Sequence, residues 1–127
     1  MKNISAEQAP EAIGPYSHAN EAGGMLYLSG QIPLEPKTGE LIQGNIAAQT
    51  EQTIHNIKAV LKAAGSDISR VVKSTCFLTD MNDFTEFNNV YARHFTSKPA
   101  RSCVAVSALP RGSRVEIEVI AELCQTT

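Results

Sequence analysis

A chain of 127 residues with 43% hydrophobic content has room for one domain with a packed core. Its net charge of −2 supplies no field to attract nucleic acid or an anionic membrane surface, and no apolar run approaches the roughly 20 residues that span a bilayer. Three widely spaced cysteines, Cys76, Cys103 and Cys124, fit free thiols in a reducing compartment rather than a disulfide framework.

Residues 1–8 carry no apolar run behind Lys2 and no arginine, which predicts neither a secretory signal nor a transit peptide and points to a cytoplasmic protein. Residues 16–22 and 25–29 flank Gly23-Gly24, a turn signal, and predict a hairpin that ends at Gly30. Residues 32–44 contain Pro33, Pro36, Gly39 and Gly44 and read as a loop with a tight turn. Asn45 is a helix N-cap. Behind it Ile46, Thr50, Ile54, Ile57, Val60, Leu61 and Ala64 recur at helical spacing, and Gly65 stands where a left-handed cap closes the helix. Residues 71–79 form a strand with Val72, Ser74, Cys76 and Leu78 on one face. Asn82 or Asp83 caps a second helix, whose apolar stripe is Phe84, Phe87, Tyr91 and Phe95. Residues 101–108 and 114–123 are the last two strands, and the turn-rich 109–113 between them suits a hairpin.

Two amphipathic helices cover one face of such a sheet, so the expected fold is α+β, a two-layer sandwich. The last strand is two-sided. Val115, Ile117, Val119, Ala121 and Leu123 belong under the helices, and Arg114, Glu116, Glu118, Ile120 and Glu122 face away. The second set is polar but not wholly so, which suits a wet or symmetric subunit interface.

The chemistry centres on Pro99-Ala100-Arg101-Ser102-Cys103-Val104. Arg101 and Cys103 share one face of the strand, and a cation there needs an anion. If the last two strands pair, Arg101 and Glu116 are neighbours. Their juxtaposition has two readings. One is a cross-strand ion pair worth about 0.2–1 kcal/mol. The other is a site in which Arg101 grips a substrate carboxylate while Glu116 positions or deprotonates a water. The histidines, His18, His55 and His94, are scattered, which leaves Cys103 without a base and makes it a lining thiol rather than a nucleophile. No metal-ligand spacing joins the histidines and cysteines, so no metal is expected.

Six motifs complete the picture: Gly14-Pro15-Tyr16, Ser29-Gly30-Gln31-Ile32-Pro33, Pro36-Lys37-Thr38-Gly39-Glu40, Asn82-Asp83-Phe84, the Arg101 segment and Glu116-Ile117-Glu118. In this order and approximate spacing the chain resembles the reactive intermediate deaminase A (RidA) family over nearly its whole length. The resemblance implies a mixed sheet with two helices on one face, like the trimeric bacterial chorismate mutases, and a homotrimer with ligand sites between subunits. It implies hydrolysis of enamines and imines such as 2-aminoacrylate, 2-iminopropanoate and 2-iminobutanoate to 2-oxo acids and ammonia, without metal or organic cofactor. By the same resemblance Arg101 holds the substrate carboxylate and Glu116 orients the attacking water. Cys103 lines the pocket, and Tyr16, Ser29, Gly30 and Asn88 shape and close it.

One departure stands out. Only Ser97 and Lys98 lie between His94-Phe95-Thr96 and Pro99, where many relatives have a longer loop ending in an aromatic. A shorter, more open wall before Arg101 follows, and with it an altered substrate range. Two other functions use the same residues. A non-catalytic protein that senses 2-oxo acids, or a chaperone-like one, would keep Arg101. An endoribonuclease or translation inhibitor, as some family members are described, would need a basic surface, for which Arg111 and Arg114 are the local candidates.

Overall fold

The computed structural model describes residues 1–124. Asn45 starts the first helix, α1 (Ile46–Ala63), by accepting the Ala48 N–H on its side chain at 2.9 Å. The helix ends through Gly65, whose φ of 80° lets the Ser66 N–H turn back to the Leu61 carbonyl at 2.9 Å. The second helix, α2 (Phe84–His94), starts differently from the expected cap. Asp80 caps a short 3-10 turn by accepting the Asn82 N–H, and Asp83 makes no side-chain cap bond. Its carboxylate is taken by Arg114 at 2.8 Å.

Six strands form one mixed sheet: β1 (Lys2–Ile4), β2 (Ala19–Ala22), β3 (Met25–Leu28), β4 (Val71–Leu78), β5 (Ala100–Ala105) and β6 (Val115–Glu122), in the order β1-β2-β3-β6-β4-β5. Only β4 and β5 are parallel. Both helices pack on one face. There Ile54, Ile57 and Leu61 of α1 and Phe87 and Tyr91 of α2 join Cys76, Leu78, Ile117 and Val119 in the core. The two-layer α+β architecture is therefore the expected one. Among the described residues no helix is long and apolar enough to cross a membrane.

Three expectations change. The last two strands do not form a hairpin. Helix α2 is the crossover that returns the chain parallel to β4, so β5 lies on the outer side of β4 while β6 inserts between β3 and β4. Strand β6 buries Val115, Ile117, Val119 and Ala121 and so favours a central position with two neighbours. Val72 does not face the core. The register slips between Val71 and Lys73, which makes Val72 the extra residue of a bulge and turns it outward, 39% exposed. Finally, β1 adds a short edge strand, in a segment too short and polar to show alternation.

Phe87 is fully buried between the layers. Truncating it to alanine is expected to lower stability by about 3–5 kcal/mol, measured by urea unfolding. A loss under about 1 kcal/mol would mean that the helix layer does not pack as described.

Candidate active site

Arg101 points from β5 toward α2. Its Nη1 donates to Asn88 Oδ1 at 2.6 Å. The guanidinium carbon stands 4.7 Å from the Tyr91 ring centroid and 5.6 Å from that of Phe84, a cation–π arrangement that fixes the plane of the fork. Tyr91 is itself held from below by a 2.6 Å hydrogen bond to Ser74 of β4. Phe84, Asn88 and Tyr91 follow one another at four and three residues along α2, one face of a helix. Among the described residues no acid forms a salt bridge with Arg101. It lines a groove of ≈ 610 Å³ together with Asn88, Tyr91, Phe95 and Lys98, and no Asp or Glu joins them.

Glu116 points the other way, off β6 into the face without helices. It lines a cavity of ≈ 480 Å³ with Tyr16, Ser29, Gly30 and Gln31. Two further acids, Glu11 and Glu118, line this cavity, and no Lys or Arg does. The Glu116 carboxylate lies directly over Gly30, where a Cβ would collide with it. The space that Gly30 opens is thus filled by the Glu116 carboxylate. Burial, and next the charge of Glu118, push the Glu116 pKa above the usual carboxylate value.

The register separates the two groups. Arg101 pairs with Ser74 and Glu116 with Phe77, positions of opposite parity along β4. The sheet stands between them, which removes the cross-strand ion pair and any site formed by both within one copy. The residues singled out in the sequence accordingly fall into two groups. Tyr16, Ser29 and Gly30 gather around Glu116, and Asn88 holds Arg101. Cys103 shares the Arg101 face, opposite Cys76 in register, and its side chain packs against the core. Burial raises its thiol pKa, an effect that the nearby Arg101 charge only partly offsets, so it is a neutral thiol at neutral pH.

One contributor, His18, carries no sequence signal for this role, and Gln31 is marked in the sequence only as part of the 29–33 motif. His18 is buried; its Nδ1 accepts the Ala6 N–H at 2.8 Å and its Nε2 donates to the Pro10 carbonyl at 2.7 Å. These bonds fix the neutral tautomer and staple the N-terminal segment that walls the Glu116 cavity. Gln31 bridges to Ile117 and ties the Ser29-Gly30 turn to β6. Tyr91 is legible in the sequence only as core; its place one turn from Asn88 is the available clue. His55 is exposed, and His94 lies between Glu51 and Lys58 on the helices.

Residues 6–123 match the family model described as Endoribonuclease L-PSP. The chain belongs to this L-PSP family, which is the RidA family of the sequence motifs. Within it, the chain is 58% identical to protein DfrA of Myxococcus xanthus, over 94% of each chain. It is 50% identical to the mouse 2-iminobutanoate/2-iminopropanoate deaminase, covering 94% of this chain and 90% of that one. Among solved structures, E. coli TdcF with bound serine superposes with a TM-score of 0.92 at 41% identity, over 98% of this chain and 100% of that one.

Gly30→Ala is expected to displace the Glu116 carboxylate while leaving the sheet intact. Crystallography of the variant checks this directly: a Glu116 side chain that stays in place beside the added methyl group would contradict the close approach described.

Proposed function

We propose that the chain is an imine deaminase that hydrolyses 2-imino acids, and the enamines that tautomerise to them, to 2-oxo acids and ammonia. The observation that carries this reading is Arg101, a fork held over Tyr91 by Asn88 with no acid partner among the described residues. A planar cation so prepared suits the carboxylate of a small substrate. The name of the mouse relative supports the same reaction, and the serine bound to TdcF supports a ligand of amino-acid size.

In the proposed reaction Arg101 binds the carboxylate and so orients the imine carbon. Glu116 accepts a proton from water as the oxygen bonds to that carbon and the C=N π electrons move to nitrogen. The proton passes to nitrogen to complete the carbinolamine; its hydroxyl proton then moves to the same nitrogen through Glu116 as the C–N bond breaks, which releases ammonia and leaves the carbonyl. An imine already hydrolyses in water, so orientation and one base are sufficient, without metal or organic cofactor. Cys103 contributes no nucleophile. With its three cysteines free among the described residues, a reducing compartment such as the cytoplasm is the proposed location.

Arg101 and Glu116 lie on opposite faces of the sheet, so the proposed site is composite: Arg101 of one copy meets Glu116 of another. Charge favours this. The Arg101 groove has cations and no acid, and the Glu116 cavity has acids and no cation. The face that would meet a neighbour also carries Tyr27 at 47% and Val104 at 45% exposure. A homotrimer, as the family resemblance implies, closes such contacts in a ring. The nucleic-acid alternative finds little support, because Arg114 is paired with Asp83 and Arg111 donates to the Gly39 carbonyl.

Co-expression of Arg101→Ala and Glu116→Gln tests the composite site. Removing the carboxylate grip costs roughly 1.5–3 kcal/mol, and removing the base about 10²-fold or more in kcat. In a mixed ring about one site in three has both groups intact, which is about a quarter of all sites in a randomly assembled population. Mixtures no more active than either variant would show that the two groups never share a site. The acid limb of the pH–rate profile is a separate check. Glu116 must be ionised to act, so the rate falls as pH drops through a value raised above the usual carboxylate range by burial and by Glu118. Glu118→Gln removes a like charge and should move that limb to lower pH; a limb that stays put means another group titrates.

A further inference from the structure

We propose that the Arg101 groove holds a second acid group on Lys98, so that the preferred substrates are imines of amino acids with two carboxylates. This rests on the deaminase reading of the Arg101 half-site and narrows it to a substrate class.

Two cations line the groove, and no acid does. Among the described residues the Lys98 ammonium makes no hydrogen bond or ion pair. A monocarboxylate would satisfy Arg101 and leave Lys98 facing water.

The backbone gives an independent reason to single out Lys98. Its φ is 56°, in the left-handed region, and it precedes Pro99. Glycine or asparagine fits that conformation with less strain, and a residue before proline prefers extended backbone. The turn is closed by the Lys98 N–H on the Phe95 carbonyl at 3.2 Å. Lysine is therefore a poor choice for the turn itself, and what it adds is a cation at the mouth of the groove. The shortened loop brings this cation within two residues of Ala100, the first residue of β5, on the strand that carries Arg101.

The test compares imines generated in situ by an amino-acid oxidase, with catalase, from glutamate and from 2-aminobutanoate. Release of 2-oxo acid above the buffer rate gives kcat/KM for each. Calorimetric titration with 2-oxoglutarate and 2-oxobutanoate gives binding without turnover. The wild type is expected to favour the diacid about fivefold in both, less at high salt, because an exposed ammonium is screened. Lys98→Gly should bring the ratio near parity while keeping or raising the melting temperature, since glycine accepts φ of 56°. Lys98→Arg should retain the preference. No diacid preference in the wild type, or one that survives Lys98→Gly, overturns the proposal. If the monocarboxylate imine is hydrolysed without such a preference, the second subsite falls and the deaminase stands. If 2-oxoglutarate binds preferentially through Lys98 but neither imine is accelerated, the subsite stands and the deaminase falls.

Discussion

Pairing along β4 decides which way each of the two candidate site side chains, Arg101 and Glu116, points. Strand β4 has β5 parallel on one side and β6 antiparallel on the other, and each brings one charged residue into register with it. Ser74, opposite Arg101, faces the helices; Phe77, opposite Glu116, does not. An odd separation along a pleated strand reverses the face, and no rotamer change undoes that. The cation and the carboxylate are therefore partitioned by the sheet itself.

Each half is organised without its opposite charge. On one side α2 supplies a carbonyl oxygen from Asn88 and a ring from Tyr91, so the guanidinium is oriented without being neutralised. On the other, Gly30 admits the Glu116 carboxylate close to its backbone, while burial and Glu118 make the ionised form costly. Groups left in this condition gain more from a complementary ligand or surface than a prepaired couple would, because no internal contact has to break first. The polar halves thus keep their binding capacity unspent within a single copy.

The helices were legible because their signals are local. Asn45, the 46–64 stripe and Gly65 lie within a few turns of one another, and the apolar alternation of β6 is equally self-contained. Strand partners are a nonlocal matter. The turn residues at 109–113 look like a hairpin, yet the order of strands depends on α2 forcing a parallel return, which no short window records. Val72 failed for a related reason: a bulge is a mismatch in length between two strands and exists only once both are paired. The motif residues Arg101 and Glu116 could be named from the chain, but their mutual position required strand order. His18 carried no clue, since a buried imidazole that bridges two backbone groups resembles any isolated histidine in sequence.

Strand β5 ends the sheet and has only β4 as a partner. Six residues run along its outer side without the usual protection: no bulge, no proline within the strand, and a single charge, Arg101, turned toward the helices. Ser102 and Val104 decorate the opposite face. Such a rim is adhesive to any extended chain that can donate and accept backbone hydrogen bonds. Crowding, overexpression or heating of copies with this edge bare would turn that adhesion into precipitation. The quality of the preparation, and not catalysis alone, is then governed by whatever shields this one border of the sheet.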